Sequence, residues 1–193
     1  DFLMNMILIG AFVLILIFGV GILIMIIGIY NALVAVKENI KKAWANIDVI
    51  LKQRYDEVPQ LIQICEQYVT YEKSMIDRIM TAREQMVKGK TVEEKADGFN
   101  ALSAGIGGLL AVGEAYPDLK ANENFMHIQS RLSDLEESLA DRREFYNDSV
   151  NIYNIRIKQI PDVFIARFLG YTDETLFNVS DSEKARPNLK MNI

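Results

Sequence analysis

From Ile7 to Ile29 the chain carries about 23 consecutive residues with no charged or strongly polar side chain, and beyond Ile40 that uniform stretch gives way to a periodic mixture of apolar and polar positions. At 1.5 Å per residue a helix of this length reaches roughly 35 Å, slightly more than the ~30 Å hydrocarbon core of a bilayer. A spanning helix is the natural reading, because a helix satisfies its own backbone groups where no water is available. Neither Pro nor Gly interrupts Tyr30 to Asn39, so this helix is expected to run straight on past the membrane. A cleaved secretory signal would need a basic leader, a shorter apolar core and a small-residue cleavage site, and none of these is visible.

The positions Ile40, Trp44, Ile47, Leu51, Val58, Leu61, Cys65, Tyr68, Met75, Ile79, Ala82 and Met86 advance in steps that sum to seven. That is the seam of an antiparallel helical pair or bundle. Ile62, Val69 and Ile76 widen the stripe, as a helix touching two neighbours requires. Pro59 follows Val58 on the outward edge, which favours one bent helix over two helices broken there. Lys88-Gly89-Lys90 reads as a helix stop with Gly89 left-handed, and Thr91 with Glu94 as a capping box that opens the next helix. That helix contains Gly105, Gly107 and Gly108, each costing about 1 kcal/mol against alanine. No dinucleotide fingerprint or P-loop surrounds them, so close helix packing is the expected use.

Ala115 to Asn122 contains Pro117 and ends this helix. A last long helix begins near Asn122, with Phe125, Ile128, Leu132, Leu135, Leu139, Tyr146, Val150, Tyr153, Ile157 and Ile160 on its apolar stripe, and ends by Pro161. A short helical turn from Phe164 to Leu169, a stop at Gly170 and an irregular tail follow. The expected fold is therefore all-α: an N-terminal transmembrane helix continuing into an elongated antiparallel bundle of three to four long helices. The corresponding divisions are an anchor over 1–35, a bundle over 36–170 and a tail over 171–193.

Charge narrows the possible partners. The net charge is −5, and no basic stripe interleaved with aromatics is present, which argues against nucleic acid. Lys37, Lys41, Lys42 and Lys52 follow the span and no basic residue precedes it, so the bundle is expected on the cytoplasmic side of a plasma or internal membrane. Basic residues upstream of Asp1 would reverse that orientation. Within the span Gly21, Gly28 and Ala35 recur at sevens, and Gly28 with Ala32 makes a small-xxx-small pair that lets two spanning helices approach closely.

Chemistry is sparse. Cys65 is the single cysteine and lies on the apolar seam, where a thiol behaves as a small hydrophobe. His127 is the single histidine and has no Glu-x-x-His partner, so no metal site is expected. Asp134, Glu136, Glu137 and Asp141 share a helix with Arg131, Arg142 and Arg143 and read as a solvated charged face. Arg54 and Glu72 fall on the seam itself. Buried charges are best attested as register devices, and each needs a partner on another helix; Glu144 is the candidate for Arg54. No nucleophile and base, carboxylate pair or metal spacing converges. The expectation is a protein that is not an enzyme, with no cofactor and no small-molecule substrate.

Several blocks together carry a family resemblance: Tyr30-Asn31-Ala32-Leu33-Val34, Ala43-Trp44, Ile47-Asp48-Val49, Leu51-Lys52-Gln53-Arg54-Tyr55-Asp56, Val58-Pro59, Tyr68, Glu72, Ala82-Arg83, Gly108-Leu109-Leu110-Ala111-Val112, the run from Glu114 to Phe125, Arg142-Arg143, Tyr146-Asn147 and Tyr153-Asn154. In this order they resemble the LemA family across residues 30 to 193. The resemblance implies an N-terminal anchor and an elongated helical domain, and little about mechanism. One branch of the family is similar to a magnetosome protein associated with building internal membranes. Cys65-Glu66 departs from the commonest family pattern, in which a more basic stretch is usual.

The leading functional expectation is a membrane-anchored scaffold that self-associates and organises membrane or recruits protein partners. Its partners would then be membrane lipid and further copies of the chain. A pilin-like filament subunit is an alternative, although such proteins usually carry glutamate at the fifth mature position, where this chain has Asn5. The third reading is an adaptor for a membrane signalling or proteolytic enzyme.

Overall fold

A computed structural model describes residues 2–179 and is all-α, with no strand among them. Helix α1 runs Phe2–Glu66, α2 Lys73–Lys88, α3 Val92–Gly113, α4 Pro117–Lys120, α5 Glu123–Arg156 and α6 Asp162–Phe168. An extended segment follows to Val179, and the remainder of the expected tail lies outside the described residues. The chain divides into two compact units. One takes the residues up to Lys42 with Asp148–Glu174, and the other takes Ala43–Asn147 with the described residues from Thr175 to Val179.

Helix α1 continues through Tyr30 without a break, and its residues from Phe2 to Gly28 are exposed. It is long and apolar enough to cross a membrane, and its span window is only 6% buried, unlike the core helix of a soluble protein. Elsewhere in the same unit, Leu33, Ile40, Val150, Tyr153, Ile157 and Ala166 are buried. Ile160, expected on the apolar stripe of the last helix, lies beyond the end of α5 and is 80% exposed.

The expected bent helix from Ile40 to Met86 is two helices, and the break falls at residues 67–72 instead of at Pro59. Amides of Gln67 and Tyr68 close tight three-residue turns onto Ile64 and Cys65, and Glu72 adopts an extended backbone (φ −63°, ψ 131°) that opens α2. Cys65 before this turn, Val69 within it and Ile79 after it are all buried. Seven-residue spacing therefore survives a break that it does not reveal.

Pro59 stays inside α1 because its lost hydrogen bond is replaced. The Tyr55 carbonyl, which an amide at position 59 would have engaged, accepts from Arg83 Nε at 2.6 Å, and that guanidinium lies 3.3 Å from the Tyr55 ring centroid.

The second unit packs α2 antiparallel on α3 and the Ala43–Glu66 part of α1 antiparallel on the Glu123–Asn147 part of α5. The α1/α5 register is fixed by Trp44 against Tyr146, Arg54 against Glu136, Glu57 against Arg131 and Tyr68 against Asn122. Ile47, Leu51, Val58, Leu61, Phe99, Leu102, Leu109, Phe125 and Leu139 fill the centre.

Gly89 ends α2 with φ −52° and ψ 139°, so it is not left-handed as expected. Space explains the glycine: a Cβ there would lie 2.8 Å from the Gln85 carbonyl oxygen. Thr91 Oγ1 accepts from the Glu94 amide at 3.1 Å, while the Glu94 carboxylate reaches the Lys90 amide at 2.6 Å, one residue earlier than the usual box. Pro117 starts the one-turn α4 and sends Leu119 into the core, and Asn122 Oδ1 caps α5 by accepting from the Phe125 amide.

Candidate interaction surfaces

Arg54 is 1% exposed on the inward face of α1. Its Nη2 donates to Glu136 Oε1 at 2.6 Å and to Ser103 Oγ at 2.9 Å, and its guanidinium stands 4.6 Å from the Phe99 ring centroid. The expected partner, Glu144, is exposed elsewhere on α5, because the antiparallel register brings Glu136 opposite Arg54. One turn further along, the polarity reverses: Glu57 on α1 pairs with Arg131 on α5 at 2.5 Å. Two ion pairs of opposite sense select one register, since a slip that brought Arg131 opposite Arg54 would set like charges together. Two members of the set read as a solvated face, Glu136 and Arg131, thus pair with buried residues of α1 while keeping 33% and 50% of their side chains exposed.

Glu72 takes no part in this network. It is exposed at the start of α2, where its carboxylate accepts from Ser74 Oγ at 3.2 Å, and its place on the seam is lost with the break at residues 67–72.

Gly105 faces α2 closely; a Cβ there would come 2.7 Å from Ile79 Cγ1. Gly108 has ordinary space, with Met75 Cε at 3.4 Å, and Gly107 meets nothing within 4 Å, so the close packing expected of it does not occur. The tightest approach is at Gly98, where a Cβ would lie against the Met86 amide nitrogen and 2.8 Å from the Gln85 carbonyl carbon. Gly98 stands one heptad before Gly105, a spacing that could have identified it. Beside this contact an open groove of about 660 Å³ is lined by residues that include Met75, Arg78, Ala101 and Ala104.

The repeated Tyr-Asn pairs have a defined use. Within one unit, Asn154 Oδ1 accepts from the Glu174 amide and its Nδ2 donates to the Glu174 carbonyl, both at 2.8 Å. Within the other, Asn147 treats Phe177 in the same way at 2.9 and 3.3 Å, and the Tyr146 hydroxyl donates to the Thr175 carbonyl at 2.9 Å. Each asparagine thereby supplies the paired donor and acceptor that a neighbouring strand would give an extended chain. The Phe177 ring is fully buried against Trp44 and Phe99. In the Asn154 unit, Lys37 lies over Tyr171, whose ring packs on Tyr153, and burial pushes the Tyr153 hydroxyl up to about 12.

Cys65 is fully buried, and its thiol is pushed up to about 11, chiefly by burial, against a smaller opposing effect from its hydrogen bond with Tyr71. At pH 8 such a thiol is about a hundredfold less ionised than an ordinary one. Alkylation of Cys65 in the native chain at pH 8 is therefore expected to be at least about a hundredfold slower than in urea. Equal rates would contradict this placement. His127 is exposed beside Gln60, Gln63 and Asn124. No group of three or more metal-ligating side chains converges among the described residues.

In the apolar stretch, a Cβ at Gly21 or Gly28 would meet nothing within 4 Å. Ala35 is exposed and Ala32 half-buried. The small-residue face toward Gly21 and Gly28 is open to lipid or to another helix.

Residues 43–191 match the model of the LemA family. The chain is also similar to the magnetosome proteins MamQ 1 and MamQ 2 of Paramagnetospirillum magneticum and MamQ of Magnetospirillum gryphiswaldense, at 25% identity over 168 residues in each case. These alignments cover 74% of this chain and 62% of each relative, so the chain spans less than two thirds of their length.

Proposed function

Because this chain belongs to the LemA family, we propose that it is a non-enzymatic membrane-anchored scaffold that self-associates through its span and organises membrane or recruits protein partners. Membrane association is supported by the apolar α1, and the similar MamQ proteins are named as proteins of the magnetosome. The observation that carries the finer reading is the open small-residue face of α1 at Gly21 and Gly28. Lipid tails are as apolar as leucine, so spanning helices associate through close packing, and a glycine face allows the backbone approach this requires. The same α1 continues as a core helix of the folded unit, so helices paired in the membrane would bring folded units together. Lys37, Lys41, Lys42 and Lys52 favour a cytoplasmic position for those units. No functional role is assigned to His127 or Cys65.

Replacing Gly21 and Gly28 together with leucine is expected to reduce crosslinked dimer in membranes several-fold while leaving helix content unchanged. An undiminished dimer yield would defeat the reading, as would a strictly monomeric full-length protein in vesicles.

A further inference from the structure

We propose that the segment from Ile160 to Phe168 is a second membrane contact, seated in the bilayer interface beside the span, with a lipid acyl chain filling the groove between them; this rests on α1 being a span. Ile160, Phe164 and Phe168 recur every fourth residue and are 80%, 65% and 91% exposed. The opposite side of α6 is anchored: Ala166 is 1% exposed, Arg156 Nε donates to Asp162 Oδ2 at 2.7 Å, and the chain leaves α6 through Gly170 at φ +67°. The aromatic face is thus held outward by the fold and is not the loose end of a helix.

What lies beside that face identifies its occupant. Phe164, Phe168 and Leu169 border an apolar groove of about 380 Å³ whose other wall is Ile26, Ile27 and Tyr30 of α1, in the same compact unit. Ile26 lies three residues inside Ile29, the end of the charge-free stretch. At 1.5 Å per residue this puts α6 roughly 5 Å below the end of the span, the shallow edge of the 5–10 Å depth at which amphipathic interfacial helices lie. Tyr30, four residues or about 6 Å further out along α1, forms the outer end of the same groove wall and sits where tyrosine is favoured at the membrane surface. Arg167, adjacent to Phe168, is exposed and within reach of anionic headgroups. A groove walled on one side by a membrane span is open to acyl chains, and continuity with the bilayer selects lipid over a soluble partner.

Phe168→Cys, Leu14→Cys and Glu137→Cys, each in a Cys65→Ser background of the full chain, would be labelled with an environment-sensitive fluorophore and placed in phosphatidylglycerol-containing vesicles. The probe at position 168 is expected to be quenched by lipids spin-labelled near the headgroup end of the acyl chain and to be several-fold less sensitive to aqueous iodide than the probe at 137. Iodide sensitivity at 168 equal to that at 137, with lipid quenching at 14, overturns the second contact and leaves the span intact. Shielding of 168 from both quenchers overturns it in favour of a protein neighbour, including a second copy. Absence of lipid quenching at 14 overturns both the contact and the span.

Discussion

Glu136→Ala is expected to destabilise the folded chain by about 3 kcal/mol, at the lower end of what breaking a buried ion pair from one side costs, and by more than Arg54→Met does. The asymmetry follows from burial. Removing Glu136 takes a carboxylate at 2.6 Å from a guanidinium whose side chain is 1% exposed and to which water has little access. Removing Arg54 leaves a carboxylate whose side chain is 33% exposed and can regain water. A methionine also refills most of the volume of the arginine stem, so the cost there is mainly packing, about 1–2 kcal/mol. The double variant is expected to lie close to Arg54→Met alone, because once the cation is gone Glu136 has little left to lose. Urea unfolding of the full chain in detergent micelles, followed by helical circular dichroism, gives all three values. If Arg54→Met proves the more damaging, the pair is not held together by the need to neutralise a buried charge.

The long exposed apolar helix and the burial of Arg54 were legible because each departs from its local pattern, one by the absence of polar groups and the other by a charge on an apolar seam. The partner of Arg54 was not, because it depends on how α5 aligns with α1, and that alignment follows from the lengths of the intervening turns and helices. Glu136 and Glu144 both lie on α5, and only the register distinguishes them. The break at residues 67–72 was hidden for a related reason: it contains no glycine or proline, and Val69 remains in the core as though the helix had continued. Glu72 was misplaced with it. The asparagine clamps left a trace in the heptad-spaced Tyr146-Asn147 and Tyr153-Asn154, but their partner is backbone, whose position no side-chain pattern records. Likewise Phe164 and Phe168 read as ordinary apolar residues until α6 set them, still exposed, along a groove shared with Ile26, Ile27 and Tyr30 of α1.

The α3 glycines show the same limit and supply its clearest test. By propensity alone, Gly98→Ala and Gly107→Ala each gain about 1 kcal/mol in a helix interior. The structure separates them. At Gly107 the new methyl enters open space, so the full gain is expected and the variant should unfold at higher denaturant concentration than the parent. At Gly98 the methyl would run into the Met86 amide nitrogen and stand 2.8 Å from both the Gln85 carbonyl carbon and the Met86 Cα. These are backbone atoms of α2 and cannot swing aside as a side chain would. Accommodation requires the two helices to separate along the line that also brings Gly105 onto Ile79, opening the packing around Met86 and Ile79. Overpacking costs of this kind reach about 3 kcal/mol and outweigh the propensity gain, for a net loss of about 2 kcal/mol. The two substitutions are chemically identical, lie on the same helix and should move stability in opposite directions. If both stabilise, α2 and α3 are not in the contact described; if both destabilise, Gly107 lies against a surface that the folded chain does not present.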